Sequence, residues 1–266
     1  MAALAAYAPE GGRILAGGQS LIPMMAFRLA QPAYLIDING IPGIGAITDD
    51  GAALYVPAGV RHAAFHRPGP TPLAAALAGV ARHIAHLPIR TRGTFCGSLA
   101  NADPSAEWAV VAVALDSTMT ARSMAGERTI AARDFFLSIM GTALHQDEML
   151  TGARLPHPPP GTRFGFHECS RRAGDYALAM TFAAYRVEDG VVTGARIAVG
   201  GVEPTPRRLP GAEAALDGSV PGPASFARAA EAAAAEIDAM EDPQVPATLR
   251  RDLLRATTRR ALAAAA

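Results

Sequence analysis

Short apolar runs bounded by Gly, Pro and Asx residues dominate the first part of the chain. Tyr34-Leu35-Ile36-Asp37-Ile38 and Leu54-Tyr55-Val56 predict buried strands. Pro72 to His86 predicts a helix. Asp103 followed by Pro104 is an N-cap with proline at the first helical position, so a second helix is predicted to run to about Leu115. Thr118 to Arg122 and Met149 to Leu155 predict further strands. Leu155-Pro156-His157-Pro158-Pro159-Pro160-Gly161-Thr162 then breaks the pattern, because consecutive prolines continue neither a helix nor a central strand. We place a domain boundary there. Beyond it, Ala177 to Val187 and Val191 to Val199 alternate and are joined by Glu188-Asp189-Gly190, a hairpin signal. Ala224 to Met240 and Thr248 to Ala264 follow as Ala- and Arg-rich helical patterns. Strands followed by helices on this scale predict an α+β fold.

Composition narrows the function. The chain has 266 residues, half of them hydrophobic, enough for two modest domains with a core that needs no disulfide or structural metal. Basic and acidic residues balance at 24 each, which argues against a nucleic-acid surface. Every basic residue other than histidine is Arg, so a lysine Schiff base and an ordinary Walker A lysine are excluded. Two cysteines, Cys96 and Cys169, cannot ligate an iron–sulfur cluster alone, and such sparse use fits a reducing compartment. His62 and His66 stand four apart with no third ligand beside them, so no zinc site is expected. The longest apolar stretch, Trp108 to Leu115, is too short to span a membrane. No basic segment leads into an apolar core at the start, so the expectation is a soluble, cytoplasmic protein.

Two glycine-bearing loops carry the chemistry. Ala16-Gly17-Gly18-Gln19-Ser20 follows the apolar Ile14-Leu15, and Arg92-Gly93-Thr94-Phe95-Cys96-Gly97-Ser98-Leu99 is followed by Ala102-Asp103-Pro104. Each runs from extended chain toward a predicted helix. Turns of this kind present consecutive backbone N–H groups, and a ring of N–H groups binds phosphate. Two of them predict a ligand with two phosphates, held from both sides.

At these loops the chain resembles the FAD-binding medium subunit of molybdenum hydroxylases, the group containing aerobic carbon monoxide dehydrogenase and xanthine dehydrogenase. The matching strings are Ala16 to Pro23, Arg90 to Leu99, Ala102-Asp103-Pro104-Ser105-Ala106-Glu107, and Ser170-Arg171-Arg172-Ala173-Gly174-Asp175-Tyr176-Ala177. The resemblance implies a two-lobed FAD-binding domain of the PCMH type over residues 1–158, then a smaller α+β domain over residues 163–264. It implies noncovalent FAD held by Ala16, Gly17, Gly18, Gln19 and Ser20 on one side and by Thr94, Phe95, Cys96, Gly97 and Ser98 on the other. Glu107 matches a position whose carboxylate reaches the FAD; Ile84 and Leu150 match positions packed on the flavin ring. Asp103 belongs to the same set, though capping alone explains a carboxylate there. His167 stands where the xanthine dehydrogenase branch can carry Lys.

The same resemblance implies two partner chains, a large one with the molybdenum cofactor and a small one with two two-iron two-sulfur clusters, in a doubled heterotrimer. The chain would then pass electrons from the partner's clusters through FAD to an acceptor, with no acid–base dyad or nucleophile of its own. A stand-alone FAD oxidase and a noncatalytic flavin-bound scaffold are the alternatives. The substrate of the complex stays open, since it binds elsewhere, and the sequence does not choose among NAD, quinone, oxygen or a carrier as acceptor. Two departures stand out. Only Met1 to Gly12 precede Arg13, where the family has an extra strand and helix, so either the start is assigned late or the first strand is missing. The second loop reads Cys96-Gly97 where Gly-Gly is common, and Cys96 is read as a small packed residue rather than a redox thiol.

Overall fold

The computed structural model describes residues 1–243 and 245–266. Its order begins with helix α1 (Ala2–Tyr7), strand β1 (Arg13–Leu15), α2 (Leu21–Ala26) and the strands β2 (Leu35–Asp37), β3 (Thr48–Asp49) and β4 (Ala53–Pro57). Helices α3 (Pro72–Ala81), α4 (Leu87–Arg90), α5 (Phe95–Asn101) and α6 (Glu107–Ala114) follow. Then come β5 (Thr118–Arg122), β6 (Glu127–Ala131), α7 (Ala132–Phe135), β7 (Phe136–Ser138), β8 (Gly141–Thr142) and β9 (Met149–Pro156). The last part holds β10 (Arg163–Cys169), β11 (Ala179–Glu188), β12 (Val191–Gly200), β13 (Arg207–Arg208), α8 (Pro210–Leu216), α9 (Pro223–Glu236) and α10 (Ala247–Ala264). Among the described residues no helix is long and apolar enough to cross a membrane.

These elements gather into two units that do not follow the chain in order. One holds residues 1–64, 86–102 and 116–157; the other holds residues 65–85, 103–115 and 158–266. In the first, a five-stranded antiparallel sheet runs β3-β4-β9-β5-β6, and β1 pairs with β2 in parallel. Along β9, Met149, Leu150, Ala153 and Leu155 are buried, and a register shift against β5 at Thr120/Ala121 interrupts the alternation there. Helix α5 packs on β9 and β4, burying Phe95 and Leu99.

The second unit is built on the antiparallel sheet β10-β11-β12-β13. The predicted hairpin is the β11–β12 turn, where Asp189 and Gly190 both take positive φ, 50° and 81°, as a two-residue turn of matching twist requires. Helices α8, α9 and α10 bury an alanine-rich face against β11 and β12, with Tyr185, Ile197, Leu209, Phe226 and Leu262 as its large members. Small residues bring helix and strand close. At Gly165 the backbone of α10 lies directly on β10: an added Cβ would meet the Ala261 carbonyl, its carbon 2.9 Å away. Helix α6 also packs on β11 and β12, and all eight of its residues are buried. A helix of that length does not persist in water by itself. Burying Trp108, Val110, Val111 and Val113, at roughly 1.5–3 kcal/mol for each large apolar side chain, is what holds it.

Several boundaries differ from the sequence expectation. The helix begun at Pro72 stops at Ala81 rather than His86; Ala85 sits at φ 42°, which ends helical continuation. Asp103 does not cap a helix. Its carboxylate accepts from the Ser105 amide at 2.8 Å in a local turn, and α6 starts at Glu107 with Ala106 as its N-cap. The turn competes with the helix for the same donor, as a short Asp side chain bonded to the amide two residues on can do. The sequence pattern does not predict strands β3, β6, β7, β8, β10 and β13 or helices α1, α4, α7 and α8.

Candidate functional site

The first loop leaves β1 and turns into α2. Gly18 sits at φ 73°, a conformation that costs an L-residue about 1–2 kcal/mol. An added Cβ there would also lie 3.2 Å from Ile22 Cγ1 and 3.3 Å from Leu15 Cδ1. Gly17 is glycine for a different reason. A Cβ there would run into the Arg92 carbonyl oxygen and sit 2.6 Å from Gly93 Cα, so the two loops touch backbone to backbone. The N–H groups of Gly17, Gly18, Gln19 and Ser20 find no acceptor among the described residues. The Gln19 side chain turns inward and donates to Gly17 O at 3.2 Å, and Ser20 gives its helix no side-chain cap.

The second loop is more self-contained. Phe95 N–H donates to Val60 O at 2.9 Å, Gly97 N–H to Thr94 Oγ1 at 3.0 Å and Ser98 N–H to Thr94 O at 3.0 Å. Thr94 is thus the N-cap of α5, and the Cys96 amide is the one between them with no acceptor among the described residues. The Cys96 thiol is buried and donates to Val56 O at 3.4 Å. Burial pushes its pKa far above the usual thiol value, so it stays protonated and inert. The His62 ring packs under this loop, where a Cβ on Gly93 would lie 2.6 Å from its Nε2.

A cleft of about 300 Å³ opens where the loops meet, lined by Ala16, Ile38, Asn39, Gly59, Arg61 and Thr94. Four open amides on one loop and a guanidinium in the wall fit a diphosphate-bearing cofactor. Leu150 belongs to this unit; it is buried on β9 opposite Ala121.

Ile84, Asp103, Glu107 and His167 lie in the other unit. Ile84 is buried at the end of the α3 segment. Burial, with a smaller push from the Glu168 and Asp103 charges, raises the Glu107 carboxyl to about 8. Burial raises Glu168 to about 7 and moves Asp103 upward as well. These carboxyls form one electrostatic group beside Tyr176, whose phenol is shifted upward by burial and by Asp103 and Glu107. On β10, His167 Nδ1 and Glu168 Oε2 are buried with no hydrogen-bond partner among the described residues. Burial, then Arg260 and His83, lowers the His167 pKa. Orphaned buried atoms of this kind are completed by a ligand or ordered water. Sequence spacing does not single out Asn39, Arg61 or Glu168; the Asp37–Asn39 spacing of an Asx turn is the only trace of the first.

The comparisons with known proteins agree with this architecture. Residues 1–158 match the family described as the FAD binding domain in molybdopterin dehydrogenase, and residues 164–265 match the CO dehydrogenase flavoprotein C-terminal domain. The nicotine 6-hydroxylase medium subunit of Paenarthrobacter nicotinovorans is 38% identical, over 95% of this chain and 89% of its own length. The structure of carbon monoxide dehydrogenase from Hydrogenophaga pseudoflava, lacking the Mo-pyranopterin moiety, superposes with a TM-score of 0.92 at 33% identity over 99% of this chain and 92% of that one. Quinoline 2-oxidoreductase from Pseudomonas putida 86 gives 0.91 at 36% identity over the same shares. The fold is that of an FAD-binding α+β protein with a smaller α+β C-terminal domain. The chain belongs to the family of FAD-binding medium subunits of the molybdenum hydroxylases, and it is the flavoprotein component of an oxidoreductase.

Proposed function

We propose that this chain is the electron-transfer subunit of a molybdenum-containing hydroxylase, with residues 1–158 as the FAD-binding domain and residues 163–264 as the C-terminal domain. The observation that carries the reading is the first loop: four amides without acceptors among the described residues, Gly18 at φ 73°, and a second loop in contact with it. FAD bound there supplies the two-electron chemistry that links a partner's iron–sulfur clusters to an acceptor. The residues of this chain bind and orient it. The Gly17 to Ser20 amides and the Thr94 to Ser98 turn meet the diphosphate; Leu150, Ile84, Asp103, Glu107 and His167 are assigned to FAD on the family resemblance alone. The large partner carries the molybdenum cofactor and the substrate, the small partner the two clusters, in a doubled heterotrimer.

Denaturing the purified complex should release free FAD and leave a colourless precipitate; flavin retained on the chain contradicts noncovalent binding. Gly18→Val should abolish FAD binding while the C-terminal domain keeps its native circular dichroism. It places a β-branched side chain at positive φ and between Ile22 and Leu15. Unchanged FAD stoichiometry in that variant contradicts the loop assignment.

A further inference from the structure

The two loops come from distant parts of the chain, yet a continuous line of hydrogen bonds joins them. Asn39 Nδ2 donates to Ala16 O in the first loop at 2.9 Å. Arg61 Nη2 donates to Asn39 Oδ1 at 2.6 Å, and Arg61 Nη1 donates to Arg92 O at the start of the second loop. Asp37 Oδ1 holds the Asn39 backbone amide at 2.9 Å and also accepts from its side chain, fixing the asparagine from behind. Both ends of one amide and two arms of one guanidinium are therefore engaged, each spanning 22 to 31 residues of chain.

The geometry at the first loop is specific. A carbonyl oxygen and the next N–H share one rigid peptide plane. Pinning Ala16 O therefore fixes the direction of the Gly17 N–H, the first of the four open amides. Asn39 and the hydrogen bonds of Arg61 are solvent-exposed. Exposed polar links of this kind add little to folding, so their worth lies in what they align. Arginine reaches two separated acceptors through a rigid planar fork; a lysine offers its three donors from one compact point on a flexible stem.

We propose that Asn39 and Arg61 form a positioning clamp that sets the spacing of the two loops and aims the first-loop amides at the cofactor diphosphate. The clamp rests on the FAD reading given above.

The test uses the full chain co-produced with its partner subunits, stripped of FAD and retitrated by flavin fluorescence. Asn39→Ala and Arg61→Ala should each weaken FAD binding about tenfold or more, the weight of one charge-assisted hydrogen bond. The double variant should be no worse than the weaker single, because both cut the same line. Arg61→Lys should fall between wild type and Arg61→Ala. The thermal midpoint of the FAD-free protein should move by less than about 2 °C, as for surface substitutions generally. Wild-type affinity in the single variants, additive losses, or a midpoint that falls in step with affinity would overturn the clamp. If wild-type protein itself takes up no FAD, the functional reading fails and the clamp with it; if wild type binds and the variants match it, the clamp alone fails.

Discussion

Glu107 enters a helix whose eight residues are all buried, and its carboxyl answers by holding its proton to about pH 8. Unfolded, it releases that proton near 4.5. Between those values the folded chain binds more protons than the unfolded one, so stability falls as pH rises through the interval. The contribution is fully present below about 4.5 and lost on passing about 8; Glu168 acts with the same sign up to about 7. Glu107→Gln should therefore flatten the pH dependence of the FAD-free thermal midpoint, with the variant gaining on wild type toward pH 8. Parallel profiles would rule out the shifted carboxyl. Cys96 has a different fate. Its thiol is buried, protonated and already bonded to Val56 O. Cys96→Ser keeps the size and the donor, so FAD content and electron transfer should stay near wild type. Lost turnover with flavin intact would make the thiol a participant.

Elements were legible where local chemistry decides them. The β11–β12 hairpin follows from Glu188-Asp189-Gly190, and α9 and α10 follow from their periodic alanine and arginine. Asp103 misled because a turn to Ser105 satisfied the side chain four residues before α6 began. Strand β10 was hidden because Arg163 to Cys169 alternates only weakly and is defined by its pairing with β11. Its Gly165 reads as a weak spot in a strand, yet it is where α10 comes closest. Gly165→Ala forces the helix away from the sheet and should cost about 1–3 kcal/mol, as overpacked cores do. A thermal midpoint equal to wild type would show that α10 gives way freely.

At the scale of the molecule, the proline boundary and the packing tell different stories. Helices α3 and α6 precede the prolines in sequence but pack in the unit that holds β10 to β13. No local pattern reveals such interleaving, since it is decided by long-range burial. The loops were legible because backbone geometry demands particular residues; Asn39 and Arg61 were not, because ordinary polar side chains take their role from the fold alone. The same division bears on what the chain does unaided. Among the described residues no three side chains form a metal-binding group. Large apolar side chains such as Phe27, Leu29, Leu137 and Ile139 stand in the open. Produced alone, the chain should load poorly with FAD, tend to aggregate and oxidise no carbon substrate. Co-production with iron–sulfur and molybdenum chains should restore solubility and flavin content together. Sustained turnover of a carbon substrate by the single chain, carrying FAD and no metal, would overturn the subunit reading and establish a self-contained oxidase.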